Sequence, residues 1–304
     1  MKVLSLFDGI SCLRVAFGDR EVEYHASEID KYAIKVSHKN YPDIIRLGDV
    51  RTVEYIPDLD LLCGGSPCTD LSISKKGRKG LEGEQSGLFW EWVRIWKLCK
   101  PKYFILENVN SMPKKDRDII SLELGVEPIM IDASLVSAQS RKRLFWTNIR
   151  VQGLPADRNI LLKNILEPEG SVDERMTIKG KAFCLTSTYS HANTTEAGIK
   201  YSVDKKQRTL VKIGHIGDSD GQANRVYDPE GKSVTLSANG GGGGAKTGLY
   251  KTETRIRKLT PIECERLQSL PDNYTAGISN TQRYKCLGNA FNVEVIKFIL
   301  SFMV

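Results

Sequence analysis

Short apolar runs recur through the first half of the chain, at 3–7, 24–27, 44–47, 60–63, 103–106, 128–131 and 143–147. Many carry β-branched or aromatic residues, and several stop at Gly, Asp or Pro, which is how strands read in a sequence. Helical patterns lie between some of them. In 87–99, Leu88, Trp92, Ile95, Trp96 and Cys99 recur at helical spacing, with Glu91, Arg94 and Lys97 on the face turned away. Strand–helix alternation on this scale predicts an α/β fold with a mostly parallel, doubly wound sheet. Such a sheet binds its ligands outside the carboxyl ends of its strands.

The pattern changes after about residue 165. From there to about 255, Thr, Ser, Gly, Lys and Asn dominate and helical periods are few. Asn239 is followed by five glycines, Gly240 to Gly244. No βαβ unit is legible there, so a second, smaller and irregular domain is expected. Helical pattern returns at Thr260, which suits an N-cap, with Pro261 at the first helical position and Glu263 completing a capping box. A last amphipathic helix is expected after a Gly288-Asn289 turn, carrying Phe291, Val295, Ile296, Ile299 and Leu300. The expected organisation is a domain over 1–165, a second over 166–255, and a segment 256–304 returning to the first.

Composition narrows the class. At 304 residues, 40% hydrophobic and 27% charged, the chain is neither disordered nor fibrous. No apolar run approaches the ~18–20 residues of a membrane span. Met1 runs directly into a first strand, so no signal peptide is expected and the cytoplasm is the expected compartment. The net charge of +7 permits a nucleic-acid partner. Seven cysteines, an odd number, form no Cys-x-x-Cys pair, and the four histidines are scattered. No metal site is expected, and free thiols suit a reducing compartment.

The candidate chemistry sits at strand ends. Phe7-Asp8-Gly9-Ile10-Ser11 follows the first run, where a glycine turn can cradle a nucleotide-like group. Glu28 ends the second run and can accept from ribose hydroxyls, while Asp49 ends the third and can receive an adenine amine. Each alone also fits a turn glycine or a cap; as three successive strand ends they favour an adenosine cofactor. Gly64-Gly65-Ser66-Pro67-Cys68 follows the fourth run, and Cys68 is a candidate nucleophile through its thiolate. Lys75, Lys76, Arg78 and Lys79, interleaved with glycines, suit a loop closing on a phosphate backbone. Glu107, in Glu107-Asn108-Val109, can protonate a ring nitrogen. Arg141 and Arg143 stand at i and i+2 of an extended segment, where one face can present both to a single anion or carbonyl.

In this order, Phe7-Asp8-Gly9, Glu28, Asp49, Pro67-Cys68, Glu107-Asn108-Val109, Gln139-x-Arg141-x-Arg143, Arg257-x-Leu259-Thr260-Pro261-x-Glu263-Cys264-x-Arg266-Leu267-Gln268 and Gly288-Asn289-Ala290-Phe291-Asn292-Val293 resemble the motifs of the DNA cytosine-5 methyltransferases. The resemblance covers about 1–165 and 255–304, and its form is that of bacterial or phage enzymes. It implies a Rossmann-like catalytic domain with a mixed seven-stranded sheet, and a target-recognition domain over 166–255. It implies S-adenosyl-L-methionine as cofactor, held by Phe7, Asp8, Gly9, Ile10, Glu28, Ile29, Asp49, Val50, Pro67, Leu88, Asn289 and Ala290. It makes Cys68, Glu107, Arg141 and Arg143 catalytic, and places Ser72, Ser74, Lys75, Lys76, Arg78 and Gln139 on double-stranded DNA. The implied protein is a monomer acting on DNA in a bacterial or phage-infected cell, with a cognate restriction endonuclease left open as a partner. One departure stands out. The family pattern Phe-x-Gly-x-Gly-Gly has Ser11 and Cys12 where the later glycines fall. A tRNA cytosine-5 methyltransferase and a catalytically silent DNA-binding relative are the alternatives. The tRNA enzymes' Cys-Phe-Thr element is absent here, and a silent scaffold has no need of Pro67-Cys68 or Glu107.

Overall fold

Each of the seven apolar runs becomes a strand: β1 (Lys2–Leu6), β2 (Glu23–Ser27), β3 (Ile45–Gly48), β4 (Leu61–Gly64), β5 (Tyr103–Val109), β6 (Ile129–Asp132) and β7 (Lys142–Thr147). They form one sheet in the order β3-β2-β1-β4-β5-β7-β6. The structure, a computed structural model, describes residues 1–67, 71, 79–83, 86–168, 212–215, 224–238, 247–252 and 256–303. β1 pairs in parallel with β2 and β4, β2 with β3, and β4 with β5, while β7 runs antiparallel between β5 and β6. Parallel strands are covered on both faces, so β1 and β4 read as apolar runs rather than alternations. The strand order reverses between β1 and β4, which places the crevice of a doubly wound sheet outside their carboxyl ends.

Helices α1 (Cys12–Phe17), α2 (Lys31–Asn40), α3 (Phe89–Cys99) and α4 (Lys114–Leu124) connect these strands. Trp92 of α3 and Trp146 of β7 are fully buried in one core cluster with Leu4, Leu62 and Leu106. Truncating a side chain of this size to Ala typically costs ~3–5 kcal/mol. Arg94 does not face away from the protein as the helical pattern suggests. It pairs with Glu91 and donates to the carbonyls of Val50, which begins a 3₁₀ turn, and Val53, which caps it.

Contacts divide the chain into two compact units. The first is Met1–Asp132, Lys142–Pro155 and Ala290–Val304; the second is Ala133–Arg141 and Ala156–Asn289. This differs from the boundaries at 165 and 255, because residues 256–289 go with the second unit. The hydrogen bonds explain the difference: Arg266 donates to the Ile165 carbonyl at 2.9 Å, and the Glu167 amide donates to Glu263 at 2.9 Å. Segment 133–141 joins the same unit through Ser233, whose amide donates to the Ala138 carbonyl and whose carbonyl accepts from Ser140.

The described part of the second unit is more ordered than its sequence suggests. β8 (Lys212–His215), β9 (Arg225–Tyr227), β10 (Leu249–Lys251) and β11 (Ile256–Arg257) form a sheet in the order β11-β10-β9-β8. Strands of two to four residues are too short to show a period of two. Helix α5 (Pro261–Leu267) starts as expected. The Thr260 hydroxyl accepts from the Glu263 amide, and the Glu263 carboxylate accepts from the Thr260 amide. The same carboxylate takes a bidentate pair from Arg257 at 2.8 and 2.7 Å, with both side chains inaccessible to solvent. Breaking such a pair strands a buried charge, at a typical ~3–5 kcal/mol. Gly288 and Asn289 form no turn: they end helix α6 (Asn280–Asn289), which the sequence reading did not anticipate. The last helix, α7 (Val293–Leu300), begins only at the Asn292 cap, so Phe291 precedes it. α7 packs against α1. Among the described residues no helix is long and apolar enough to cross a membrane.

Candidate active site

The carboxyl ends of β1 and β2 meet as the strand order requires. The Gly9 amide donates to Glu28 Oε2 at 2.8 Å, and the amides of Ile29 and Asp30 donate to Glu28 Oε1 at 2.8 Å each. Three backbone donors thus fix the carboxylate, and a fourth acceptor position remains. Ile29 beside it is 69% exposed, an apolar side chain open at the strand end. A Cβ built on Gly9 would meet nothing within 4 Å, so the turn is open to close approach. Phe7 packs on the edge of the core. Asp49 follows β3 and is clamped by Arg51, whose Nε and Nη2 lie 3.0 and 2.5 Å from its two oxygens. These hydrogen bonds hold its carboxyl down at about 2.

Three residues assigned to this site by resemblance have their side chains elsewhere. Ile10 is 1% exposed and Val50 is 5% exposed, both in core packing. Asp8 is also buried, accepting from Tyr24 and Ser11. Only their backbone groups can meet a ligand. The alternation of a strand stops at Leu6, so proximity in sequence to Gly9 does not bring exposure. Leu88 is half-buried against the core, and the carbonyl of Pro67 accepts from the Ser86 hydroxyl at 3.0 Å. Asn289 is exposed at the end of α6, and Ala290 is buried after it.

A second cluster forms at the ends of β4, β5 and β7. Glu107 pairs in register with Phe145, and Arg143 with Val109, so Glu107 and Arg143 are diagonal neighbours on one face. Arg143 Nε lies 2.8 Å from Glu107 Oε1, with side chains 16% and 14% exposed. Gly65 lies against the other oxygen: a Cβ there would stand 2.7 Å from Glu107 Oε2 and 3.0 Å from the Phe291 ring. Only glycine leaves room for that carboxylate. The Asn108 amide, itself buried, donates to the carbonyl and hydroxyl oxygens of Ser66 at 3.3 and 3.2 Å. It thereby fixes the segment that leads through Pro67 into Cys68. Gly65, Ser66, Asn108 and Phe291 stand inside motifs legible in the sequence, but their pattern assigned them no role in the site. The glycine pair before Ser66 was their clearest signal.

Arg141 does not join Arg143. Its guanidinium is buried and donates to the carbonyls of Gly288 and Leu236, at 3.1 and 3.4 Å, within the second unit. The period of two holds only inside a strand, and β7 begins at Lys142. Gln139, expected on DNA, is fully buried and bridges Ser233 through its backbone. Cys68, Ser72, Ser74, Lys75, Lys76 and Arg78 lie outside the described residues, as does the Gly240–Gly244 run. Cys63 of β4 is a thiol of the opposite character to a nucleophile: burial, with Asp8 and Glu107 nearby, pushes it far above the ordinary range.

If Glu28 faces a ribose, Glu28→Ala should weaken S-adenosylmethionine binding by ~1–3 kcal/mol, since hydroxyls and amides lose their charged acceptor. Calorimetry reads this directly, and unchanged affinity would remove Glu28 from the site.

The sequence model of the C-5 cytosine-specific DNA methylases matches residues 1–304. The chain is 31% identical to the type II methyltransferase M.HhaI of Haemophilus parahaemolyticus, over 98% of this chain and 93% of that one. It is 25% identical to the orphan methyltransferase M.SPRI of Bacillus phage SPR, over 98% of this chain and 96% of the relative. Among solved structures, the Entamoeba histolytica methyltransferase EhMeth superposes with a TM-score of 0.72 at 14% identity, covering 99% and 97% of the two chains. The S. pombe Dnmt2 methyltransferase gives 0.63 at 15% identity, covering 99% and 97%. At these identities the structural likeness concerns the fold.

Proposed function

The chain belongs to the C-5 cytosine-specific DNA methylase family, and on that premise we propose that it methylates C5 of a cytosine in a specific double-stranded DNA sequence, using S-adenosylmethionine and a covalent Cys68 adduct. One observation carries the chemistry. Glu107, paired with Arg143 and lying against Gly65, stands at the strand ends beside the segment that delivers Cys68.

The open turn at Gly9, the acceptor capacity of Glu28 and the exposed Ile29 fit an adenosine-bearing cofactor. Gly9, Glu28, Ile29 and Asp49 would hold it, with Phe7 against its base. Bound S-adenosylmethionine supplies an electrophilic methyl group. Cytosine C5 is a poor nucleophile, and the protein's residues change that. The Cys68 thiolate bonds to C6, the C5–C6 π electrons shift into the ring, and Glu107 delivers a proton at N3. C5 is now an enamine carbon able to take the methyl group. Return of the N3 proton to Glu107, loss of the C5 proton to a base from solvent and expulsion of the Cys68 thiolate restore the aromatic ring. Arg143 holds Glu107 in place and presents its guanidinium toward O2. Such atoms are unreachable inside a duplex, so the cytosine must leave the stack.

The second unit is the reader of sequence in this proposal, and exchanging 166–255 for the segment of a relative with a known site should transfer the methylated motif. Bisulfite sequencing of DNA incubated with protein and cofactor, beside a tRNA control, tests both parts. Methylation of tRNA alone would overturn the substrate assignment. An active chimera that keeps the parent motif would overturn the assignment of recognition.

A further inference from the structure

The turn after β1 is held in an unusual way. Phe7, Gly9 and Ser11 all have positive φ, at 55°, 59° and 61°. Glycine adopts this region freely, but a residue with a Cβ does so at a cost and persists there only when its surroundings impose it. Ser11 is fully buried, and the structure shows what imposes its conformation. Its hydroxyl donates to Asp8 Oδ2 at 2.5 Å. It therefore accepts from the Ser37 hydroxyl of α2, which itself accepts from Arg46 Nη2 of β3 at 2.8 Å. On the other side, the Tyr24 hydroxyl of β2 donates to Asp8 Oδ1 at 2.7 Å. The donors run in one direction, from the Arg46 guanidinium through two serines to the Asp8 carboxyl, with Tyr24 closing the far end. Every member but Arg46 is buried.

We propose that Asp8 and Ser11 are a matched pair that holds this turn in its cofactor-ready shape, Asp8 acting as a positioning residue for the Gly9 amide and its Glu28 partner. The proposal rests on the cofactor reading of the Gly9–Glu28 cluster. It assigns a purpose to the departure at Ser11. Where the family pattern has a glycine and needs no support, this chain has a serine in a left-handed conformation and a buried carboxyl that anchors it. The backbone bond from the Ser11 amide to the Asp8 carbonyl, at 3.1 Å, closes the same four residues. Gly9 lies between the two anchored positions, so the direction of its N–H follows from them.

A matched pair makes a coupled prediction. Asp8→Ala should raise the calorimetric Kd for S-adenosylmethionine roughly tenfold, through lost and unsatisfied buried hydrogen bonds. Ser11→Gly should stay within about threefold of the natural protein, because glycine takes positive φ without help. In the Ser11→Gly background, Asp8→Ala should add no more than about threefold, since the restraint it supplied is no longer needed. Asp8→Asn keeps an acceptor for only one of the two donors, Tyr24 and Ser11, and turns an NH2 group to the other, so it should recover only part of the affinity that Asp8→Ala loses. In turnover, Asp8→Ala should raise KM for the cofactor while kcat at saturation holds, whereas general destabilisation lowers the active fraction and hence kcat. Should Asp8→Ala fail to fold, Tyr24→Phe gives the same comparison at about threefold amplitude, with one donor removed and little volume lost. Equal losses with and without Ser11 would overturn the pairing. Glu28→Ala, run alongside, separates the two layers. A loss there with additive Asp8 and Ser11 effects overturns the pairing alone, and no loss overturns the cofactor reading and the proposal with it.

Discussion

Cys68→Ser is expected to abolish methyl transfer while leaving DNA binding intact. A hydroxyl ionises far less readily than a thiol, so at neutral pH the serine offers almost none of the anion that must add to C6. The side chains are nearly isosteric, so the phosphate and base contacts that set DNA affinity do not change. Tritium transfer from labelled cofactor measures turnover, and retention of duplex DNA measures binding. Trapping sharpens the test. DNA carrying 5-fluorocytosine at the target should give a protein adduct with the natural chain, because fluorine at C5 cannot leave as the proton does. No cysteine among the described residues can substitute. Cys12, Cys63, Cys99, Cys264 and Cys286 are all buried, and burial raises the Cys63 and Cys264 thiols well above their usual range. An adduct formed by the serine variant, or turnover near that of the natural protein, would overturn the nucleophile assignment.

Glu107→Gln is expected to slow the single-turnover rate by the ~10²–10⁴ typical of losing a general acid. Glutamine matches the carboxyl in shape and still donates a hydrogen bond, so some activity should remain. It cannot give up a proton to N3. It also cannot hold Arg143 by charge, and the 2.8 Å ion pair weakens to a neutral contact. Arg143 should therefore become less ordered in the same variant. The carboxylate sits against Gly65, where any Cβ would collide with it, so the geometry leaves little freedom for an alternative pose. A variant with its single-turnover rate intact and only its cofactor affinity reduced would place Glu107 in another role.

The two sites differ in how legible they were. Gly9 and Glu28 stand nineteen residues apart, and a parallel β1–β2 pair brings successive strand ends together by construction. Finding the strand ends was therefore enough to assign both residues to one site, although their mutual hydrogen bond was not foreseen. The Glu107–Arg143 pair is different. It depends on β7 entering antiparallel between β5 and β6 and on a register that puts Arg143 opposite Val109. Shifting that register by one residue would turn Arg143 to the other face. Arg141 shows the same dependence from the other side. Two residues from Arg143 in the chain, it lies before the strand begins and spends its donors on carbonyls of the second unit.

What the sequence by itself determined is what local chemistry decides. Apolar runs ending at Gly, Asp or Pro set the seven strands, the capping box at Thr260 and Glu263 set the start of α5, and the ordered motifs set the family. Only the tertiary structure decided which side chains face the site and which serve the fold. Asp8, Ile10 and Val50 sit in the right stretch of chain and turn inward, while Gly65 and Phe291 join Glu107 from distant positions. The physical reason is one of range. Backbone preference and capping act over a few residues, so they are written in the chain. Burial of a carboxyl, the room around a glycine and the pairing of charges on neighbouring strands depend on atoms far apart in sequence, and exist only once the sheet has formed.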